Sequence, residues 1–263
     1  MFDFLPSDIW IGWVVMALAG SAFVMGVSKS GFGGSTGILA MPLVANMIPI
    51  KQTLGFMLPI LFLSDAIAIW HHRRQQSWDH VWWICAGGAI GITGAMGFIF
   101  LLDARTGLLN EVVRLLVGVL CIVFVAFQMI RSKAKRLPHI PQTMTAGGIC
   151  GVFTGFVSTI ANAGGPVVAI YMLEQRLGKA KLTGTMVAVF LILNWMKVPG
   201  FLYLDVLSLG AVGLSICFLP FVPIGSWVGL WLHKRVPEKP FNMVVYIATV
   251  IASISLIYKA ISM

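Results

Sequence analysis

Two stretches of this sequence combine glycine with small hydroxyl and amide side chains in surroundings that are otherwise apolar. One is Ser28-Lys29-Ser30-Gly31-Phe32-Gly33-Gly34-Ser35-Thr36-Gly37; the other is Ser158-Thr159-Ile160-Ala161-Asn162-Ala163-Gly164-Gly165-Pro166. Such runs interrupt a helix, and lipid accepts irregular backbone only where it lines a cavity or is covered by protein. Each stretch is therefore expected to be a break followed by a new short helix. The first turn of a helix carries free N–H groups and a partial positive charge. An oxyanion binds there without any charged side chain. Pro166 suits a first helical turn, where its missing N–H costs nothing. The expected contacts are Gly33, Gly34, Ser35 and Thr36 from the first break, with Asn162, Gly164 and Gly165 from the second. A plainer reading is close helix packing, since small residues serve that purpose in membranes and the chain has 28 glycines.

Ionisable side chains inside apolar segments add to this picture, because in a membrane they mark function by default. Asp65 and Lys197 fall deep in two such segments, and Lys29 sits at the first break. Lys197 is placed to attract an anion or to pair with Asp65, and Asp65 to carry a coupling proton. Snorkelling of Lys197 to an interface, a structural hydrogen bond for Asp65 and a topology role for Lys29 are the alternatives. Asn162 and Asn194 offer amide donors suited to the oxygens of an oxyanion. Arg114 lies one turn after Glu111, a spacing for a structural contact.

Other chemistries find little support. His71, His72, His80, His139 and His233 form no HExxH pattern, and Cys85, Cys121, Cys150 and Cys217 form no CxxC pair. No metal site, disulfide framework or cofactor is expected. Gly33-Gly34-Ser35-Thr36-Gly37 fits G-x-S-x-G, yet a nucleophile elbow needs a strand before its serine. An apolar helix stands there instead, so an intramembrane hydrolase is a remote alternative. No GxxxxGK[ST] loop is present, which leaves an ion gradient or the substrate's own gradient as the driving force.

The elements that position these residues follow from composition. Of 263 residues, 59% are hydrophobic and 10% charged, against about 25% charged in a soluble domain. A spanning helix needs roughly 20 apolar residues. Ten apolar segments are expected: Ile9–Ser28, a short Thr36–Ile50, Thr53–Trp70, Val81–Leu102, Glu111–Ile130, Thr143–Ile160, a short Pro166–Leu177, Leu182–Tyr203, Leu207–Leu232 and Phe241–Ala260. They are apolar on all sides, which excludes a barrel. The fold class is thus an all-α polytopic membrane protein. The formal charge of +9 fits basic cytoplasmic loops rather than nucleic-acid binding. The first eight residues hold two aspartates and no lysine or arginine, which reads as a retained first helix with its end outside.

The two halves repeat one pattern of long, short, long, long and long segments, each short one opened by a glycine pair and followed by Lys51–Thr53 or Lys181–Thr183. The expected repeats are residues 1–137 and 138–263. If all ten segments cross, Lys29, Arg73, Arg74, Arg131, Lys133, Lys135, Arg136, Arg176, Lys179, Lys181, Lys234, Arg235 and Lys239 share one side, against Lys51, Arg105 and Lys259 on the other. Counting each short segment as a turn rather than a crossing splits them almost evenly. The positive-inside rule then favours ten crossings, both termini outside, and an inverted second repeat. Trp10 and Trp13 would mark the outer interface, and Trp70, Trp78, Trp82 and Trp83 the inner one.

The SKSGFGGSTG stretch, the later STIANAGGP and the paired Lys-x-Thr elements resemble the TauE/SafE, or TSUP, sulfite exporter family, over roughly Gly20 to Leu256. The resemblance implies movement of small sulfur-containing anions, such as sulfite, thiosulfate or organosulfonates, across the bacterial inner membrane. With the site argument it yields a secondary transporter, an exporter by expectation, that is not an enzyme. Its partners are the anion, the lipid bilayer and possible coupling protons, with Lys29, Asp65 and Lys197 as coupling or charge-compensating groups. Oligomeric state stays open. An anion channel or a passive membrane subunit is the runner-up.

Overall fold

The computed structural model describes residues 11–31, 37–105, 108–133, 140–175, 177–235 and 238–262. Every regular element among them is helical. In chain order they are α1 (Ile11–Gly31), a 3-10 turn (Gly37–Leu39), α2 (Ala40–Ala45), α3 (Ile50–His71), α4 (Trp78–Arg105), α5 (Leu109–Lys133), α6 (Met144–Ala161), α7 (Gly165–Glu174), α8 (Lys179–Tyr203), α9 (Leu209–Phe218), α10 (Phe221–Arg235) and α11 (Glu238–Ser262). All ten expected apolar segments thus find helical counterparts. Seven helices are long and apolar enough to cross a membrane, or eight if α9 and α10 count as one span bent by 45°. Pro220 stands at that bend, where it has no N–H to continue the helical ladder.

Ten full crossings do not follow from these lengths. At 1.5 Å per residue, the six residues of α2 rise about 9 Å and the ten of α7 about 15 Å, against a hydrocarbon core of about 30 Å. Both short helices fold back along the long helix before them. Gly37 lies against Met25 and Ser28 while Gly20 faces Leu43, so α2 retraces α1. Gly164 lies against Ser158 and Thr154, the Val167 carbonyl meets Cys150 Sγ at 3.7 Å, and Tyr171 reaches Gly147, so α7 retraces α6. Asn162, in the left-handed region at φ 49°, ends α6 and reverses the chain.

The two hairpins are rooted at opposite ends of the bundle. At one end Ile50 N donates to Asn110 Oδ1 (2.9 Å), Lys51 pairs with Asp103 (2.8 Å) and Lys259 Nζ caps the Asn46 carbonyl (2.6 Å). These contacts gather the starts of α3 and α5 with the ends of α2, α4 and α11. At the other end His80 bonds both Tyr171 Oη (3.0 Å) and Gln142 (3.1 Å), and Ser77 N donates to Thr185 Oγ1 (2.9 Å). Here the starts of α4, α6 and α8 meet the last turn of α7.

Glycine seams hold the long arms of the hairpins. Gly87 and Gly91 of α4 press on the backbone of Gly148 and Val152, and Gly151 and Gly155 of α6 press on Ile84 and Gly88. Gly225 and Gly229 of α10 meet Phe23 and Val27 of α1 in the same way. Backbones approach this closely only without Cβ atoms between them. Gly151→Val is expected to cost about 2 kcal/mol or more, since backbone rather than a flexible side chain must yield. Gly97, with open space where its Cβ would go, is the control. Gly97→Ala should be neutral or stabilising by about 0.5 kcal/mol. Thermal unfolding of both variants in detergent checks the contrast; equal effects would remove the seam from the account.

Candidate functional site

Where the two hairpin tips approach α3 and α8, four helices converge on a buried polar chain. Lys29 belongs to the last turn of α1, a helix end whose dipole favours a cation. Its Nζ lies 2.7 Å from Asp65 Oδ1 on α3 and 4.4 Å from the centroid of the Phe190 ring on α8. The other Asp65 oxygen, Oδ2, accepts from Asn194 Nδ2 at 2.8 Å. Asn194 Oδ1 in turn accepts from Lys197 Nζ at 3.0 Å, and Lys197 also donates to Ser158 O and Ser158 Oγ, both at 2.9 Å. All three donors of the Lys197 ammonium are thereby used. The amide of Asn194 is oriented by having a carboxylate on one side and an ammonium on the other.

Burial makes this chain costly. Lys29 is 5% exposed, Asp65 and Lys197 are 0% exposed, and Asn194 and Ser158 are buried. Two basic side chains, Lys29 and Lys197, thus share the centre with one acidic side chain, Asp65. A charge removed from water persists only when paired and hydrogen-bonded; Lys29 has Asp65 for this, and Lys197 has Ser158 and Asn194. Ser28 Oγ and Ser30 Oγ, one residue on either side of Lys29, are buried without a hydrogen-bond partner among the described residues.

A cavity of about 20 Å³ adjoins the chain, with room for about one water molecule. Lys29, Gly37, Ser158, Asn162, Gly165, Phe190 and Asn194 are among its lining residues. Asn162, at the tip of the α6–α7 hairpin, also touches the other hairpin, with Nδ2 3.8 Å from Met41 Sδ on α2. Gly165 opens α7, and Pro166 takes its first turn.

Most residues singled out from the sequence are thus brought together. Lys29, Asp65, Asn194 and Lys197 form one chain, and Asn162 and Gly165 line the adjoining cavity. Gly164 is packed behind it against Ser158, Thr154 and Phe190. Gly33, Gly34, Ser35 and Thr36 lie outside the described residues. Three readings change. Asp65 pairs with Lys29 rather than with Lys197, and Lys197 is enclosed rather than snorkelling. Lys29 belongs to the centre and not to a loop.

Ser158 and Phe190 were missed as site residues, although the sequence carries a signal for each. The offset of 129 that separates Asp65 from Asn194 also separates Lys29 from Ser158. Phe190, Asn194 and Lys197 follow i, i+4, i+7 spacing on α8, which puts them on one face.

A family model described as sulfite exporter TauE/SafE matches residues 18–256. No curated protein and no solved structure matches the chain.

Proposed function

The chain belongs to the sulfite exporter TauE/SafE family, and from that premise we propose that it is a secondary carrier of small sulfur-containing anions. Sulfite, thiosulfate and organosulfonates are the candidate substrates, and export across the bacterial inner membrane is the direction. The observation that carries the reading is the excess of buried cations. Among the described residues, Lys29 pairs with Asp65 while Lys197 reaches it only through Asn194, so two buried basic side chains stand against one carboxylate where the hairpin tips converge. The anion would enter beside Lys29, within reach of the Asn162 and Asn194 amides and the first turn of α7. Gly33, Gly34, Ser35 and Thr36, from the first break in the sequence, would complete its shell.

Residues 1–137 and 138–263 form the two inverted repeats of this carrier. Support comes from the crossing helices: α3, α4 and α5 follow the first hairpin, while α8, the α9–α10 span and α11 follow the second. Three is odd, so the second hairpin is rooted at the other end of the bundle. Inverted halves around a central site are the architecture of alternating access. Arg73, Arg74, Lys181 and Arg235 stand at the end where α4 and α8 begin, with Lys51 and Lys259 at the opposite end. The positive-inside rule makes the first end cytoplasmic and places both termini outside. A centre with room for about one water is a closed state, and it must open before an oxyanion fits.

A thermal-shift screen in detergent tests the reading with sulfite, thiosulfate, sulfate, sulfoacetate, taurine and carboxylate analogues. A ligand at a hundred times its dissociation constant should stabilise the protein by about 2.7 kcal/mol. Stabilisation by a carboxylate or a cation, with none from any sulfur anion, would end the assignment.

A further inference from the structure

The centre contains its own competitor for the substrate. Lys29 Nζ faces the cavity and is already engaged by Asp65 Oδ1 at 2.7 Å. An anionic oxygen arriving beside Lys29 must share that ammonium with the carboxylate. Among the described residues, Lys29 from α1 and Lys197 from α8 are the charged groups that act on Asp65; α6 offers only the uncharged Ser158. Asp65 itself is fully enclosed, so no bulk water screens the repulsion between two neighbouring anions.

Charge arithmetic then constrains what the closed centre can hold. With Lys29 and Lys197 both held as ammoniums by the acceptors around them and Asp65 ionised, the enclosed groups sum to one positive charge. A monoanion brings the enclosed total to zero. A dianion drives it to minus one and sets two negative groups side by side in low dielectric, unless one of them gains a proton. The oxygen placed to receive it is Asp65 Oδ1, which faces Lys29 when empty and loses that partner as the substrate takes it. Oδ2 stays on the Asn194 amide.

Building on the reading of this centre as an anion site, we propose that Asp65 sets the charge of the cargo. The carrier closes around one net negative charge, so a monoanion loads with Asp65 ionised and a dianion loads together with one proton on Asp65. Dianion transport is thereby coupled to protons and monoanion transport is not. One carrier serves both classes, and the coupling is decided by the substrate.

Two probes whose own charge is fixed through the neutral range separate the cases: thiosulfate as dianion and methanesulfonate as monoanion. Calorimetric titration of the purified full-length protein in two buffers of different ionisation heat counts the protons taken up. The expected result is about one proton per thiosulfate and none per methanesulfonate. Thiosulfate affinity should fall about tenfold for each unit rise in pH, with methanesulfonate flat. Asp65→Asn, a neutral mimic of the protonated residue, should bind thiosulfate without proton uptake and without pH dependence. The pH series on the unaltered protein decides the matter alone if that variant does not fold.

Thiosulfate binding with no proton, or a proton retained in Asp65→Asn, would overturn the proposal. So would uptake with methanesulfonate as well, which would put the titrating group on a lysine. Each of these leaves the anion site standing. Failure of both probes to bind would instead remove the anion site, and the charge rule with it.

Discussion

Asp65→Ala is expected to lower the stability of the detergent-solubilised protein by about 3–5 kcal/mol, the loss typical of breaking a buried ion pair from one side. The variant leaves Lys29 and Lys197 enclosed with no carboxylate near either among the described residues. Lys29 cannot escape to water from a position that is 5% exposed, and the Asn194 amide loses its acceptor. Chemical denaturation followed by tryptophan fluorescence gives the size of the effect. A second arm isolates its cause. Replacing both partners, Lys29→Met with Asp65→Leu, should recover most of the loss, because a buried pair exchanged for apolar groups is often neutral. The two single changes should therefore couple strongly in a double-mutant cycle. Bound oxyanion should protect Asp65→Ala more than the unaltered protein, since it replaces the missing charge. Additive single effects, or an Asp65→Ala variant of full stability, would mean that the Lys29–Asp65 contact carries little of the energy assigned to it.

The helices were legible because a spanning helix must be apolar for its whole length, and nothing else in this composition is. The breaks were legible because glycine and amide residues stand out against such a background; Asn162, at φ 49°, is the reversal itself. Whether the short segments cross was not legible, and the reason is physical. The almost even split comes from removing one crossing per half, the short segment alone; a hairpin removes two, the short helix and the long one before it, so every loop beyond it stays on its original side. The basic residues therefore divide the same way in both arrangements, apart from Lys29, which leaves the loops altogether. Loop charge reports sidedness and is blind to re-entry. Hydropathy is equally blind, since α2 is apolar in either case, and only the contacts of Leu43 with Gly20 and of Gly37 with Ser28 reveal its direction. The Pro220 bend was a missed local signal, hidden in a segment apolar enough to pass as one span.

For the centre, the ionisable residues were legible because charge in lipid is conspicuous. Their pairing was not. Asp65 and Lys197 lie 132 positions apart, at nearly matching places in the two halves, so opposite sign alone suggested that they pair. Helical phase decides otherwise: Asn194, one turn before Lys197 on α8, takes the position facing Asp65, and Lys197 is directed past it to Ser158.

Lys197→Met separates function from stability at this centre. Methionine matches the lysine stem in shape, and removing an enclosed ammonium that bonds only to uncharged Ser158 and Asn194 relieves its desolvation cost without orphaning a carboxylate. Ser158 Oγ and Asn194 Oδ1 lose a donor, which costs about 1–3 kcal/mol in the opposite direction. The net change in stability should be small, within about 2 kcal/mol. The effect on binding should be large. With Lys29 and Asp65 left as a balanced pair, the centre has no positive charge in excess and no reason to draw an anion from water. Affinity for thiosulfate and methanesulfonate should drop about a hundredfold or more, equivalent to about 2.7 kcal/mol. Counterflow in proteoliposomes should fall with it. A residue kept only for packing would show the reverse, with stability lost and binding intact. Thermal unfolding and calorimetric titration of the same preparation distinguish the two outcomes. Wild-type affinity in Lys197→Met would show that the excess charge is not what holds the anion.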